Sequence, residues 1–282
     1  MLINAKKQIS KILNIDELLI KNLKRFNEGM SNYTFYFEVG SQKYVFRMKG
    51  LAAEKYVDYK NEYNAMVAVQ NKDITSELIY FDLESGSKLS KYIEGTTITK
   101  PNKELVKTLK KLHAIKAENV KNYELIERLN QYESYNNLND LDNKYFEMKK
   151  WWLAIYEKHF KNNKQVLCHN DLQSINIIDS GNKVYLIDFE FCAYNDLYYE
   201  IASFFDNPLL MYELYFDKKP NELETAKVEF YHIYQSLQWY QVALHKDNIG
   251  FSKLTSYDFK ALANFFLDNA YNLYNKNKEM FK

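Results

Sequence analysis

Glycine and cysteine are both scarce in this sequence. Seven glycines occur in 282 residues, and none of them forms a G-x-G-x-x-G pattern. The glycine-rich phosphate loop of the protein kinases is therefore missing. The two cysteines, Cys168 and Cys192, form neither a disulfide framework nor a metal-ligand spacing. Such sparse cysteine usage is typical of a protein in a reducing compartment.

Long apolar runs and an excess of charge of either sign are missing as well. No apolar stretch approaches the roughly 18 residues that span a bilayer, and the first residues lack the apolar core of a signal peptide. Lys plus Arg is 38 and Asp plus Glu is 37, which leaves a net charge of +1. This balance gives no reason to expect nucleic acid or an anionic membrane as the partner. We therefore expect a cytoplasmic protein with no membrane span.

Hydrophobic periodicity predicts a strand-rich first part. Residues 3–25 carry apolar positions at helical spacing, which predicts an N-terminal helical region. Two strands are predicted next, Tyr33–Val39 and Lys43–Met48, joined by a tight Gly-Ser connection. A helix is expected over Glu54–Gln70, and a second hairpin follows within residues 78–93.

After residue 95 the pattern becomes mostly helical. A short hairpin that turns at residues 179–181 interrupts the helices. Helical spacing of apolar residues covers residues 103–115, 123–132, 142–160, 197–205, 221–245 and 257–275. The expected fold class is α+β, with a sheet domain at residues 1–95 and a helical domain at residues 96–282.

The most informative stretch is residues 166–205. His169 and Asp171 are followed by Asn176, and Asp188 comes twelve residues later inside the apolar run VYLIDF. In phosphoryl transfer from ATP, a carboxylate accepts the proton of the attacking hydroxyl, and amide and carboxylate oxygens hold Mg²⁺ on the phosphates. The order His-x-Asp-x₄-Asn, followed by Asp-Phe, is that of a kinase catalytic loop and metal motif. A polar hairpin with ordinary turn residues is the alternative, and the apolar strand ending in Asp-Phe argues against it.

The strand-rich part offers groups that could bind a nucleotide. Arg47, near the end of the second strand, has Glu62 on the following helix as its natural partner, and a guanidinium can bind phosphate and carboxylate together. Ser31 and Asn32, in the turn before the first strand, could donate hydrogen bonds to phosphates. A hinge-like segment whose backbone could hydrogen-bond adenine follows the last strand: Tyr92, Ile93 and Glu94.

These motifs resemble those of the choline/ethanolamine kinases and the related aminoglycoside phosphotransferases. Residues 166–178 are similar to the catalytic loop of that family, and residues 184–205 are similar to the choline-kinase signature. Residues 28–32, 46–50 and 91–95 resemble the family's phosphate loop, strand end and hinge. The resemblance covers most of the chain. It implies a two-lobed, protein-kinase-like fold with a small antiparallel-sheet N-lobe and a larger, mostly helical C-lobe.

The resemblance also implies a role for particular residues. Asp171 would be the catalytic base, and Asn176 and Asp188 would hold Mg²⁺ on ATP. The substrate would be bound by two polar residues beside these motifs and by aromatic residues of the C-lobe: Gln173, Glu190, Tyr194, Tyr198 and Trp239. Gln173 would contact the γ-phosphate or the base, and Glu190 would support the first metal or bind a second one.

Three positions depart from the pattern of the family. Glu28 replaces the first glycine of the phosphate loop, and Glu200 stands where the family more often has Asp. Ser236 occupies the place of a tryptophan three residues before Trp239, where family members commonly carry two. The last departure weakens the case for choline itself as the acceptor.

The function implied by the resemblance is ATP- and Mg²⁺-dependent phosphorylation of a small cationic alcohol. A single quaternary ammonium favours aromatic walls, so choline leads as the acceptor and phosphocholine, a phospholipid precursor, as the product. Ethanolamine, thiamine, an aminoglycoside or a sugar are alternative acceptors on the same fold.

A nucleotide-binding pseudokinase would be a different class of protein. The presence of Asp171, Asn176 and Asp188 together argues against it, because a protein without catalytic activity does not need the base. A protein kinase is disfavoured because no Ala-Pro-Glu follows Asp188. The resemblance leaves a homodimer open.

Overall fold

The structure is a computed structural model that describes residues 1–26, 32–50, 52–255 and 257–281. The chain forms two compact units, and each unit combines two stretches of sequence. The first consists of Met1–Lys121 and Leu167–Ala193, and the second of Asn122–Val166 and Tyr194–Lys282. The boundary expected after residue 95 falls within the first unit, and the division into lobes at that residue stays a prediction.

The first unit contains an antiparallel sheet. Its strands are β1 (Ile20–Arg25), β2 (Tyr33–Val39), β3 (Gln42–Met48), β4 (Leu78–Phe81) and β5 (Lys88–Lys91). They pair in the order β1–β2–β3–β5–β4. The helices of this unit are α1 (Leu2–Leu13), α2 (Tyr59–Val69) and α3 (Lys103–His113). Both predicted hairpins are therefore present.

One face of this sheet forms an apolar core. Phe35, Phe46 and Leu89 lie side by side on β2, β3 and β5, and all three are fully buried. They pack with Ala5 and Ile9 of α1. Because successive residues of a strand point to opposite faces, the residue before Phe35, the one after Phe46 and the one before Leu89 face the other side.

The row on that other side is polar. Thr34, Arg47 and Lys88 are paired across the same three strands. The alternation that buries the phenylalanines thus directs two cationic side chains to the face opposite α1.

The N-terminal prediction was partly wrong. Helix α1 ends at Leu13, where Asn14 adopts a left-handed conformation with φ of 52°, and residues 20–25 form β1 instead of continuing the helix. Leu18 and Leu19, which belonged to the predicted helical pattern, are 73% and 51% exposed. The strand forms by pairing with β2, and helical periodicity carries no information about such a distant partner.

Helix α2 begins later than its pattern predicts. The side chain of Asp58 accepts a hydrogen bond from the backbone N–H of Asn61 and caps the helix at Tyr59. A separate short 3₁₀ turn, Ala53–Lys55, precedes it. The cap sets the first turn of α2, and with it the position of Glu62.

The remaining strands surround the predicted catalytic loop. They are β6 (Thr96–Thr97), β7 (Gln165–Cys168), β8 (Ile177–Asp179), β9 (Val184–Leu186) and β10 (Ala193–Asp196). Strands β8 and β9 form the predicted short hairpin, and β6 pairs with β8. The catalytic loop thus leads directly into a hairpin that ends just before Asp188.

The second unit is mainly helical. Its helices are α4 (Leu125–Glu133), α5 (Asn143–Ile155), α6 (Leu197–Ala202), α7 (Pro208–Phe216), α8 (Glu222–Asn248) and α9 (Phe259–Asn277). Trp152 is fully buried, stacks on Phe230 at 4.9 Å between ring centroids, and donates its indole N–H to the Phe230 carbonyl. The α7 helix, which begins at a proline, was not predicted.

The combination of an antiparallel sheet with a mostly helical second unit is α+β, as predicted. Among the described residues, no helix combines the length and apolarity that crossing a bilayer requires.

Candidate active site

The loop after β7 holds the carboxylate predicted to be the catalytic base. Asp171 is 9% exposed, and its two carboxylate oxygens accept hydrogen bonds from different amides. The Gln173 amide donates to Oδ1 at 2.8 Å, and the Asn176 amide donates to Oδ2 at 2.8 Å and to the Asp171 carbonyl at 3.1 Å. These bonds fix the orientation of the carboxylate, and its role as a base stays a prediction.

Hydrogen bonds tie this loop to the segment that carries Asp188. His169 donates from Nε2 to the carbonyl of Ile187 at 2.9 Å. The N–H of Ile187 donates to the carbonyl of Asn176 at 2.9 Å. The amide of Asn170, a residue with φ of 66°, donates to the carbonyl of Phe191 at 2.9 Å. His169 and Asn170 therefore position the loop through backbone groups.

Asp188 itself has an uncommon backbone conformation. Its φ of 63° lies in the left-handed region, which non-glycine residues adopt at a cost and which is enriched at functional sites. Its side chain is 36% exposed, whereas the side chain of Glu190 is 8% exposed. This conformation leaves the Asp188 carboxylate partly open to solvent while the chain on both sides is packed.

Asp188 belongs to a cluster of two cations and three carboxyl groups. Arg47 contacts Glu62 at 2.5 Å, Asp188 at 2.8 Å and Glu190 at 3.3 Å. Lys88 contacts Glu62 at 2.7 Å and Asp188 at 3.2 Å. The predicted ion pair between Arg47 and Glu62 is therefore present, and Lys88 is a second cation that the sequence analysis missed.

Burial and charge shift the pKa values within this cluster. Burial alone would lower the pKa of Arg47, but the carboxylates, first of all Glu62, raise it above its usual range. Partial burial would raise the pKa of Asp188, yet the charges of Lys88 and Arg47 lower it to about 2. Burial and the neighbouring Asp188 carboxylate raise the pKa of Glu190 to about 8. With this pKa, Glu190 is mostly protonated at neutral pH, and a further positive charge beside it would favour its ionised form.

The residues predicted to hold Mg²⁺ fit that ion. Asn176 uses its amide nitrogen to bind Asp171, which directs its amide oxygen away from that carboxylate. Asp188 offers a partly exposed carboxylate whose pKa is lowered. Magnesium is commonly held by one or two protein oxygens together with substrate phosphates, and these two side chains offer such oxygens.

Asn32 lies next to this cluster. Its amide donates to Glu190 at 3.0 Å, and its carbonyl oxygen accepts from the backbone N–H of Gly50 at 3.4 Å. A direct role of Asn32 in phosphate binding stays a prediction. Ser31, its predicted partner in that role, and Glu28, which departs from the family's loop, lie outside the described residues.

A cavity of about 300 Å³ lies in the first unit beside the cluster. Its polar end is formed by Arg47, Lys88, Asn176 and Asp188. Its other walls are mostly apolar or come from the predicted hinge, and they include Val45, Met66, Tyr92, Ile93, Ile175, Ile178 and Ile187. The cavity therefore matches the polarity of a nucleotide, with an apolar region that suits a base and a charged end that suits phosphates.

The third residue of the predicted hinge lies at the surface. The side chain of Glu94 is 70% exposed and pairs with Lys43. Any contribution of Glu94 to nucleotide binding would therefore come through its backbone, and that role stays a prediction.

The three aromatic residues predicted to bind the acceptor belong to the second unit. Tyr194 is half-buried on β10, and Trp239 is half-buried on α8. The ring of Tyr198, on α6, has Tyr212 at 6.0 Å and the ammonium of Lys227 at 5.7 Å. Their role in acceptor binding stays a prediction, as does that of Gln173 and Glu190, which the structure places at Asp171 and Arg47.

Lys88 is a cation of this cluster that the sequence patterns did not reveal. A signal was available, because Leu89 is an apolar residue in a short strand and its neighbour must face the opposite side. The alternation in residues 88–91 could therefore have placed Lys88 on the same face as Arg47.

Comparison with known proteins identifies the family. A family model for choline/ethanolamine kinases matches residues 23–248. The uncharacterized protein MG356 homolog of Mycoplasma pneumoniae is 28% identical over 199 residues, which are 68% of this chain and 66% of that protein. The chain therefore spans slightly less than two thirds of the length of this curated relative.

Solved structures show the same fold. The choline kinase LicA from Streptococcus pneumoniae is 20% identical, with a TM-score of 0.79 over 96% of this chain and 97% of LicA. A choline/ethanolamine kinase family protein from Mesorhizobium loti is also 20% identical, with a TM-score of 0.77 over 97% of this chain and 95% of that chain. The predicted protein-kinase-like fold is thereby confirmed. Since the family model matches most of the sequence, the chain belongs to the choline/ethanolamine kinase family.

Proposed function

We propose that this protein transfers the γ-phosphoryl group of ATP to the hydroxyl of a small amino alcohol, with choline as the leading acceptor. Membership of the choline/ethanolamine kinase family indicates a small-molecule kinase. The observation that carries the proposal is the hydrogen bond between Asn176 and Asp171. Asn176 also lines the cavity, whose polar end includes Arg47 and Lys88.

The nucleotide part of the proposal is supported by the polarity of the cavity. Adenine would occupy the apolar region beside Tyr92 and Ile93. The N–H of Tyr92 donates to the carbonyl of Lys43, so hinge hydrogen bonds to adenine would come from the other backbone groups of this segment. The phosphates would extend toward Arg47 and Lys88, since charge-assisted hydrogen bonds to phosphate are among the strongest that proteins make. One structure of the related LicA contains AMP.

The metal part of the proposal rests on oxygen donors. Asn176 and Asp188 would hold Mg²⁺. When bound, the ion supplies positive charge that stabilises the phosphates during transfer. Glu190, which contacts Arg47 and Asn32, keeps these two side chains close to Asp188.

The chemical step follows from the position of Asp171. Its carboxylate accepts the proton of the alcohol while the hydroxyl oxygen forms a bond to the γ-phosphorus. The bond between that phosphorus and the β–γ bridging oxygen breaks, and ADP leaves with the electron pair. Gln173 and Asn176, which donate to Asp171, orient the carboxylate toward the hydroxyl.

The identity of the acceptor is the most specific part of the proposal. Tyr194, Tyr198 and Trp239 provide π faces in the second unit, and such faces suit a quaternary ammonium that cannot donate N–H hydrogen bonds. Choline is therefore favoured over ethanolamine, thiamine, a sugar or an aminoglycoside. The aminoglycoside phosphotransferase APH(4)-Ia has a similar fold, so the fold by itself does not select the acceptor. A cytoplasmic location and a homodimer stay predictions.

A panel of acceptors tests this function. Purified protein is incubated with ATP and Mg²⁺ and with choline, ethanolamine, thiamine, an aminoglycoside or a sugar, and ADP release is measured. We expect choline to give the highest kcat/KM. Turnover of another alcohol would keep the kinase and change the acceptor. The absence of ADP release with every acceptor, from protein that binds Mg·ATP, would favour a nucleotide-binding pseudokinase.

A further inference from the structure

Helix α2 carries a buried amide that the catalytic scheme does not use. Asn61 lies in the first turn of α2 and is 8% exposed. Asparagine is a poor helix former because its side chain competes for backbone hydrogen bonds, and a buried amide is costly unless both of its groups are satisfied. A residue of this kind at this position therefore calls for a specific explanation.

Both ends of the Asn61 amide bind backbone groups outside the helix. The nitrogen donates to the carbonyl of Cys192 at 2.8 Å, and the oxygen accepts from the N–H of Lys121 at 2.8 Å. Cys192 follows the short 3₁₀ turn Phe189–Phe191, directly after Asp188. One side chain thus connects α2 to the segment that begins with a predicted metal ligand.

The next residue of α2 is Glu62, which is fully buried and contacts both cations of the cluster. The position of its carboxylate depends on where the first turn of α2 lies. Other bonds hold this turn as well: Lys121 pairs with Asp58 at 2.6 Å, and the Asn64 amide donates to the carbonyl of Asn119 at 2.7 Å. Both of these bonds join α2 to residues 119–121. The bond from Asn61 joins it to the segment after Asp188.

We propose that Asn61 is a positioning residue of the phosphate site. It holds α2 against the backbone at Cys192 and so keeps Glu62 between Arg47 and Lys88. The phosphate-binding cations and the segment of Asp188 are thereby held in one arrangement. The catalytic consequence rests on the proposed function, whereas the structural consequence for α2 does not.

The test uses Asn61→Asp. Aspartate keeps the shape and an acceptor for the N–H of Lys121, and negative charge in the first turn is favourable for a helix. It lacks the donor to Cys192 and places an oxygen against the carbonyl there. We expect the KM for Mg·ATP to rise about tenfold, as for one lost buried hydrogen bond. Hydrogen exchange of the amides of residues 59–69 should become faster.

The matched control is Asn64→Asp, three residues further along α2. It loses a donor of the same kind, but that donor binds Asn119 and not the segment after Asp188. We expect its KM for Mg·ATP to match that of the parent protein. If Asn61→Asp does not fold, Asn61→Ala, which introduces no repulsion, gives the same two readouts.

Glu62→Gln separates positioning from a general loss of structure. If Asn61 acts through Glu62, adding Asn61→Asp to Glu62→Gln raises the KM no further. The inference would be overturned if Asn61→Asp raised the KM for Mg·ATP equally in the parent protein and in Glu62→Gln. It would also be overturned if the hydrogen exchange of residues 59–69 were unchanged in the Asn61 variant. Failure of the proposed function would appear differently, as a parent protein without turnover whose α2 still exchanges faster in the variant.

Discussion

Asn176 donates two hydrogen bonds to Asp171, one to the carboxylate at 2.8 Å and one to the backbone carbonyl at 3.1 Å. Both bonds use the amide nitrogen, so the amide oxygen faces away from Asp171. The predicted base and a predicted metal ligand therefore orient each other, and a change at one of them affects the other.

The first prediction follows from this pair. Asn176→Asp keeps an oxygen that can bind a cation but replaces the donor to Asp171 with a second carboxylate oxygen. We expect kcat to fall by about 10- to 100-fold, because the base loses an orienting hydrogen bond and gains a repulsive neighbour. Steady-state kinetics at saturating Mg²⁺ measures the effect. Asn182→Asp, on the exposed turn between β8 and β9, is the control, and a kcat as high as that of the control would contradict the interpretation.

The second prediction concerns Lys88, which contacts Glu62 and Asp188. If Arg47 and Lys88 bind the phosphates as proposed, Lys88→Met removes one of these two cations. We expect the KM for Mg·ATP to rise by about 10- to 100-fold, the equivalent of one charge-assisted hydrogen bond. Lys107→Met removes a 67% exposed lysine that pairs only locally with Glu104 on α3, and it should leave the KM unchanged. Equal KM values for the two variants would remove Lys88 from the nucleotide site.

The third prediction concerns Gly95, next to the hinge. A Cβ atom on this residue would lie 2.4 Å from the carbonyl oxygen of Asp179 and 2.7 Å from a methyl carbon of Ile178. Gly95→Ala should therefore push the hinge away from β8, destabilise the protein by about 1–3 kcal/mol as other overpacked sites do, and raise the KM for ATP.

Thermal unfolding and nucleotide kinetics check this prediction. In the control, Gly181→Ala, the new Cβ meets nothing within 4 Å, but φ is +85°. That variant should lose about 1 kcal/mol of stability through backbone strain alone and keep its KM for ATP. If Gly95→Ala behaves like the control, the close approach of the hinge to β8 has no influence on the nucleotide site.

Local patterns in the sequence were sufficient for part of this structure. Strand alternation predicted β2 and β3. A cation near the end of the second strand and an acid on the following helix, the arrangement found in kinases, predicted the ion pair of Arg47 and Glu62. Strand β1 could not be predicted in this way. Among its residues only Ile20 is buried, and it becomes a strand by pairing with β2.

The remaining features of the site depend on contacts between distant parts of the chain. The partners of Asn61 lie at positions 121 and 192, and the cations that contact Asp188 lie at positions 47 and 88. Strand alternation can place Lys88 on the face that carries Arg47, but no periodicity or motif spacing relates either cation to Asp188, or Asn61 to its partners. The catalytic loop was proposed from the residue types that phosphoryl transfer requires, whereas the residues that hold its neighbours in place became apparent only in the folded chain.

The fourth prediction concerns the acceptor. Trp239→Ala should raise the KM for choline by roughly 30-fold, the equivalent of a desolvated cation–π contact of about 2 kcal/mol, with a smaller effect on the KM for ATP. Ethanolamine should be the poorer substrate, because its hydrated ammonium needs hydrogen-bond acceptors that aromatic walls lack. Steady-state kinetics with each substrate varied in turn measures both effects.

Two results would reject this view of the acceptor site. One is a Trp239 variant that loses stability and raises both KM values equally, as expected for a core residue. The other is a kcat/KM for ethanolamine above that for choline. Neither result would affect the assignment of the phosphotransfer chemistry to Asp171, Asn176 and Asp188.

That assignment is tested most directly by Asp171→Asn. The substitution keeps the shape of the side chain and removes its ability to accept a proton. Loss of a general base costs about 10² to 10⁴ in rate, so kcat should fall by that factor in the variant. Its Kd for Mg·ATP should remain that of the parent protein, because Asp171 is expected to contact the alcohol and not the phosphates. A folded Asp171→Asn protein that phosphorylates its acceptor at the parental rate would contradict the account.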